Sequence, residues 1–347
     1  MKRRSALSLC AAVAVAYVVI MPKSATAGKQ FLWVTNSAGH DVHVIDVAKQ
    51  EVIRRIVVGR QPHGICAPDD ASVVYIAIED MGSPAGELLW INPRTYEIEH
   101  RMKIGPEPNQ PACTPDGKFI YVPCDDGWYW VIDGEEKMVV TKIFTGGKPH
   151  NTQASRDGTR MFLSPVGSPR RVTIVDVERG HKVVGEIPTS NSVRPPALSA
   201  DGKLHFQHVD GLIGFEVSDV ASRKVVKVVR HKVPQALQQQ ASRSHGLAIR
   251  PDQKEIWSCD VVHRLVHVHD LTKDDYPQIA TIPMINNIYW LCFSPDNKFA
   301  FVSVHGGADQ TCIVDCATKK VIKHIPVGKT PKRNLVITLQ DEVAAGN

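Results

Sequence analysis

The chain has 347 residues, 43% hydrophobic and 22% charged, with a formal net charge of +5. That length allows one large domain or two ordinary ones. The small positive excess, much of it at the N-terminus, gives no electrostatic case for nucleic acid or an anionic membrane as partner.

The first stretch reads as targeting rather than fold. "MKRR" supplies positive charge, Ala6–Met21 is an apolar run of 16 residues, and "SATA" then offers small residues in an A-x-A pattern. This predicts a cleaved secretory signal over residues 1–27, with the mature chain from residue 28 onward exported to the periplasm or an equivalent compartment. The apolar run is shorter than the ~20 residues of a typical span, so no membrane span is expected after cleavage. Without residues 1–27, Lys and Arg number 37 against 36 acids, a net charge of +1. Seven cysteines remain: Cys66, Cys113, Cys124, Cys259, Cys292, Cys312 and Cys316. An odd number cannot all pair within one chain. Cys312 and Cys316 would lie ~13 Å apart on an extended strand, too far to bridge. Most read as small buried hydrophobes. The absence of C-x-x-C and C-x-x-C-H argues against a zinc knuckle and a covalent haem.

From residue 31 the chain writes strands: "FLWVTN", "DVHVID" and "EVIRRIVV", with no strand before them to complete a unit. A Gly-x-x-Pro string follows, "VVGRQPHGIC" at Val57–Cys66, and related strings recur to the C-terminus. Lining up the residue four places after these glycines (His63, Asn109, His150, Lys332), with the following PDG-like turn as a check for the other units (Arg194, His245, Tyr289), gives the series His63, Asn109, His150, Arg194, His245, Tyr289 and Lys332, with steps of 46, 41, 44, 51, 44 and 43 residues. A period of 40–45 marks an array of four-stranded units. After Asn109, for example, "NQPACT", "FIYVPC", "WYWVID" and "MVVTKIF" alternate as strands. "PDGK", "DDG" and "GEEK" turn the chain between them. "NLVITL" at Asn334–Leu339 is a first strand with nothing after it. It completes the N-terminal unit and closes the array. The expectation is an all-β, seven-bladed propeller over residues 28–347.

Units of the form G-x-x-P-[HN], followed by a PDG-like turn and "VIDV" strands, resemble the YVTN-type repeats of exported bacterial seven-bladed propellers. The resemblance spans residues 28–339. It implies fold and export more than activity. The Trp-Asp ending of WD40 blades is missing.

In an up-and-down blade the crossover into strand one lies on the same face as the loop between strands two and three. The seven residues of the series should therefore ring the mouth of the central channel. The loops between strands two and three add His40, Asp80, Asp125, Asp126, His208, Asp210, Asp260, His263 and His305 to that face. Three readings of the ring stand side by side. It is a wet polar mouth without a ligand; or His63, His150 and His245 bind a transition metal such as Zn or Cu; or Arg194, Lys332 and Tyr289 hold a small anion or carboxylate. Asp125 and Asp126 read as turn residues, and His267 and His269 as a strand surface. The Asp of each "VID" (Asp46, Asp133, Asp176) reads as the start of a turn. No G-x-S-x-G, P-loop, G-x-G-x-x-G or H-E-x-x-H occurs.

The longest step, 51 residues, places extra chain at Arg230–Ser244 on the mouth face. Its Gln238, Gln239, Gln240 and Arg243 are candidates for a partner contact or lid. The YVTN resemblance implies a non-catalytic binding or scaffold subunit of an extracytoplasmic redox complex, with protein partners that include cytochrome-type subunits. The propeller subunits of quinohaemoprotein amine dehydrogenase and hydrazine synthase are of this kind. A stand-alone metal-dependent lyase, lactonase or oxidoreductase is the alternative, and a solute-binding or envelope protein is a third.

Overall fold

The computed structural model describes residues 28–235 and 244–340. The proposed signal segment and Gln238, Gln239, Gln240 and Arg243 lie outside the described residues. The described chain forms seven four-stranded antiparallel sheets, the blades of a β-propeller. Blade 1 is closed by the two ends of the chain: β28 (Pro331–Leu339) is innermost, followed by β1 (Lys29–Asn36), β2 (Asp41–Asp46) and β3 (Glu51–Val57). Blades 2 to 7 run in chain order from inner to outer strand. They begin with β4 (Pro62–Cys66), β8 (Ala112–Cys113), β12 (Lys148–Ala154), β16 (Val193–Leu198), β20 (Leu247–Ile249) and β24 (Asn287–Phe293).

The closing strand pairs along its length, from Lys29 opposite Leu339 to Val34 opposite Asn334. It begins at Pro331, three residues earlier than the apolar run suggested, because polar Lys332 and Arg333 also belong to it. Ile337 and Leu339 are buried beside Trp33, Val44, Ile76 and Leu89, so the latch contributes to the core between blades 1 and 2. Inner and middle strands are buried on both faces. Outer strands such as Met138–Phe144 alternate exposed and half-buried, as the sheet pleat dictates. The core lies between the blades. Each sheet covers its neighbour, as expected of a ring whose units cannot bury their faces alone.

One strand is shorter than its sequence implied. "NQPACT" contributes only Ala112–Cys113. Pro111 has no N–H for the ladder, and the Gln110 N–H turns sideways to the His150 carbonyl of the next blade, 3.2 Å away. All seven described cysteines are unbridged, and all but the half-buried Cys292 are buried. Burial pushes the Cys312 and Cys316 thiols up to about 12, which keeps them as inert packing groups. None of the described elements is a helix long and apolar enough to cross a membrane.

Candidate functional site at the channel mouth

Five inner strands carry a β-bulge at the ring position. The register slips between Pro62 and Ile65, Lys148 and Asn151, Val193 and Pro196, and Ile288 and Trp290. On the closing strand it slips between Pro331 and Asn334. Each slip gives the inner strand one residue more than its partner. The strict in-out alternation is therefore suspended where the strand meets the axis, and consecutive residues there share contacts across the channel. The glycine after two of the histidines permits the close approach of neighbouring inner strands. A Cβ on Gly64 would sit 2.1 Å from the Asn109 carbonyl oxygen, and one on Gly246 would sit 2.9 Å from the Leu291 nitrogen.

The structure brings most of the predicted ring into one polar network. His63 is buried, and its Nδ1 lies 2.7 Å from Glu79 Oε1. Nδ1 therefore carries the proton and donates it, and Nε2 accepts from the Tyr289 hydroxyl at 3.3 Å. Asn109 donates to the same Glu79 oxygen at 3.3 Å. Burial holds His63 down to about 4, with Glu79 opposing the shift and Lys332 and Arg333 adding to it. The His245 and Tyr289 rings are 4.4 Å apart, and Lys332 Nζ lies 4.7 Å from the Tyr289 ring centroid. Arg194 belongs to a closed pair: Nε and Nη2 make 2.6 and 3.1 Å bonds to the two oxygens of Asp210.

Arg333 lies next to the predicted ring and spans the channel. It is fully buried on the closing strand of blade 1, and its Nη2 donates to Asn151 Oδ1 on blade 4, opposite, at 3.1 Å. The guanidinium stacks 3.7 Å over the Trp290 ring, while Nε and Nη1 have no partner. Burial pushes its pKa down to about 10, against the pull of Tyr289 and Glu79. The Arg333 bond fixes the Asn151 amide. Its Nδ2 donates to His150 Nδ1 at 2.6 Å, so neutral His150 carries its hydrogen on Nε2. Burial, together with Arg333, lowers His150 well below its ordinary value.

The residues do not fit a transition metal. Both nitrogens of His63 are engaged, Nδ1 of His150 is an acceptor already filled, and two cations stand beside them. Among the described residues no three His, Cys, Asp or Glu side chains are grouped to hold a metal ion. The acids of the mouth-face loops mostly serve their own frame. Asp80 pairs with Arg60 at 3.0 Å, Asp125 with Lys148 at 2.8 Å, and Asp126 accepts from the Trp130 indole at 2.9 Å. His40 Nδ1 accepts from the Gln61 N–H at 3.1 Å, and His305 packs edge-on to Tyr289. The Asp of each "VID" caps the turn after its strand, as in Asp133, which accepts from the N–H groups of Glu135 and Glu136.

A second group of imidazoles lies between blades 5 and 6. His267 and His269 belong to it rather than to a strand surface, and both are buried. His208 donates from Nδ1 to the His245 carbonyl, and its Nε2 lies 2.8 Å from Ser258 Oγ. His231 Nε2 lies 2.8 Å from the same hydroxyl, and His231 Nδ1 lies 3.0 Å from His269 Nε2. His269 Nδ1 meets the Tyr276 carbonyl at 2.8 Å. His267 stacks on His231 with centroids 4.2 Å apart, accepts from Gln278, and faces Asp260, which also receives His263 at 2.6 Å. These residues come from three strands and a crossover, with no common spacing.

No protein-family profile matches this chain, and no curated protein matches it. Solved structures do. The chain is similar to Kuenenia stuttgartiensis hydrazine synthase, with 20% identity and a TM-score of 0.66 over 80% of this chain and 95% of that one. It is also similar to the dihydro-haem d1 dehydrogenase NirN in complex with DHE, with 14% identity and a TM-score of 0.65 over 89% of this chain and 66% of that one. At such identities the likeness is one of fold, and the fold common to them is the propeller.

Proposed function

We propose that this chain is an exported propeller acting as a non-catalytic binding or scaffold subunit of an extracytoplasmic redox enzyme complex. The observation that carries the reading is an apolar arc on the mouth-face rim of three consecutive blades. Val57 is 69% exposed at the end of β3, Met81 stands on the loop between β5 (Val74–Ile78) and β6 (Gly86–Ile91) of blade 2, and Phe144 is 62% exposed at the end of β11 (Met138–Phe144). Trp128 lies against Phe144 with rings 5.2 Å apart. Large apolar groups at the rim of a rigid scaffold suit a protein partner. The comparisons support the same reading. The match covers 95% of a hydrazine synthase chain, so that chain too is little more than a propeller. The YVTN-like repeats and the predicted signal over residues 1–27 support export, and a cytochrome-type subunit is the partner proposed.

The test is recovery of the tagged full-length protein from its native host. Co-purification with a redox subunit is expected. A variant with Val57→Ser and Phe144→Ser should lose that partner while melting like the parent. A monomer that turns over a substrate unaided would overturn the reading and return the chain to the class of stand-alone enzymes.

A further inference from the structure

The geometry points to a binding site for a small anion, a carboxylate or oxyanion, at the channel mouth above Arg333. Lys332 and His150 Nε2–H are its direct donors. This inference does not depend on assembly with a partner.

The argument rests on what each polar group has left to offer. The two mouth carboxylates are already used: Glu79 by His63 and Asn109, and Asp210 by both sides of the Arg194 fork. Tyr289 donates its hydroxyl to His63. Lys332 Nζ makes no hydrogen bond or ion pair among the described residues; it lies over the face of Tyr289, and Glu79 acts on it only at a distance. His150 is oriented through Arg333 and Asn151 so that Nε2 carries the hydrogen, and no protein group among the described residues receives it. The open hydrogen-bonding capacity thus comes from donors. Lys332 and His150 stand on blades 1 and 4, on either side of the channel that the Arg333–Asn151 bond crosses.

Arg333 supplies charge from below. Its Nε and Nη1 are buried without partners, and a buried guanidinium with unmade bonds is costly. No carboxylate forms an ion pair with it among the described residues. Glu79 lies within electrostatic reach but is committed to His63. An anion at the mouth offsets that unbalanced charge in a low-dielectric setting, where the attraction is stronger than in water. A cation would meet Lys332, Arg333 and a hydrogen-bearing imidazole nitrogen, and would be repelled. The same residue types that suggested a metal in sequence therefore select the opposite charge once their hydrogens are placed.

The test uses the full mature protein, with acetate and sulfate titrated at constant ionic strength. The readouts are tryptophan fluorescence, to which Trp290 contributes, and thermal melting. Saturable one-site binding by at least one anion is expected in the wild type. Lys332→Met and His150→Phe should each weaken it about tenfold or more, the size expected for loss of a charge-assisted or buried hydrogen bond. Lys320→Met, which removes an exposed lysine from the outer strand β27 (Lys320–Pro326), should leave it unchanged. The half-exposed Lys332 can be replaced without opening the core, so its variant should fold. Absence of saturable binding, or equal weakening in the Lys332 and Lys320 variants, would overturn the site.

Discussion

Two groups of histidines in this propeller show how place decides the work of one side chain. At the channel mouth each imidazole is held by a group of another kind: His63 by Glu79 and Tyr289, His150 by Asn151. Two cations stand beside them, and half-buried neighbours leave the ring open to solvent. Between blades 5 and 6, His208, His231 and His269 face one another and Ser258 in a buried row. Hydrogen counting separates the two groups. The interior row ends on two carbonyls, those of His245 and Tyr276. Its five contacts need five hydrogens, and three neutral imidazoles and one hydroxyl supply four. The mouth has donors to spare, and the interior row is short by one.

The largest effect should come from removing the element on which both groups depend. Deleting residues from Pro331 onward takes away β28 with Lys332 and Arg333 and leaves blade 1 without its inner strand. Two sheet edges are exposed. The expected outcome is insoluble protein, with the interior row lost although it lies on the far side of the ring. A soluble truncation that still protects the amides of blades 5 and 6 from exchange would break the idea of one cooperative ring.

Next in size is the hydroxyl that bridges the interior row. Ser258→Ala leaves nitrogens of both His208 and His231 without a partner. Each orphaned buried group costs about 1–3 kcal/mol, so a loss of about 2–6 kcal/mol is expected in denaturant unfolding. A change below 1 kcal/mol would mean that water reaches the row, and the contrast with the mouth would fail.

Acid should act through the buried imidazoles in a definite direction. Burial holds His63, His205, His208 and His269 down to about 4. The unfolded chain takes up protons on these groups near 6.5. Between pH 6.5 and 4 the unfolded state thus binds more protons than the folded one, and stability falls as pH falls. The full contribution is present above pH 6.5. Histidine NMR titration should find His63, His208 and His269 still neutral at about pH 5, with His231 neutral beside them. His269→Phe removes one imidazole that burial holds down to about 4, and should flatten the acid limb of a plot of melting temperature against pH. An unchanged limb would show that the fold does not hold His269 neutral.

The sequence made the ring legible because the Gly-x-x-Pro string in four units and the turn-and-strand pattern in the others mark one position per blade, and that position is where each inner strand turns toward the axis. It could not reveal Arg333 or Trp290. Alternation along a strand predicts that the neighbour of an inward residue points away, and the bulge at Lys332–Arg333 and Tyr289–Trp290 defeats that rule. Glu79 sits at the end of a strand whose spacing marks nothing. The interior row was misread for a related reason. "VHVHDL" looks like one polar face, and only packing against His231 of the preceding crossover, 27 residues before Ser258, makes it buried. Period reports what recurs within blades, and contacts between unlike positions of neighbouring blades leave no periodic mark.

The smallest expected effect sharpens the contrast most directly, because it removes a hydroxyl from the other group. Tyr289→Phe deletes the donor to His63 Nε2 and leaves the ring that packs on His245 and Lys332. Ser258 is fully buried, whereas Tyr289 keeps 8% of its surface exposed at the mouth. Water can therefore take the place of the lost hydroxyl at His63 but not at His208 or His231. A cost of about 1 kcal/mol or less is expected, several-fold below that of Ser258→Ala, with the acid limb unaltered because His63 keeps Glu79. Equal costs for the two substitutions would mean that the mouth is as dry as the blade interface. Solvent access would then not be what divides the two sets of imidazoles, and the shortage of hydrogens in the interior row would have to account for the whole difference.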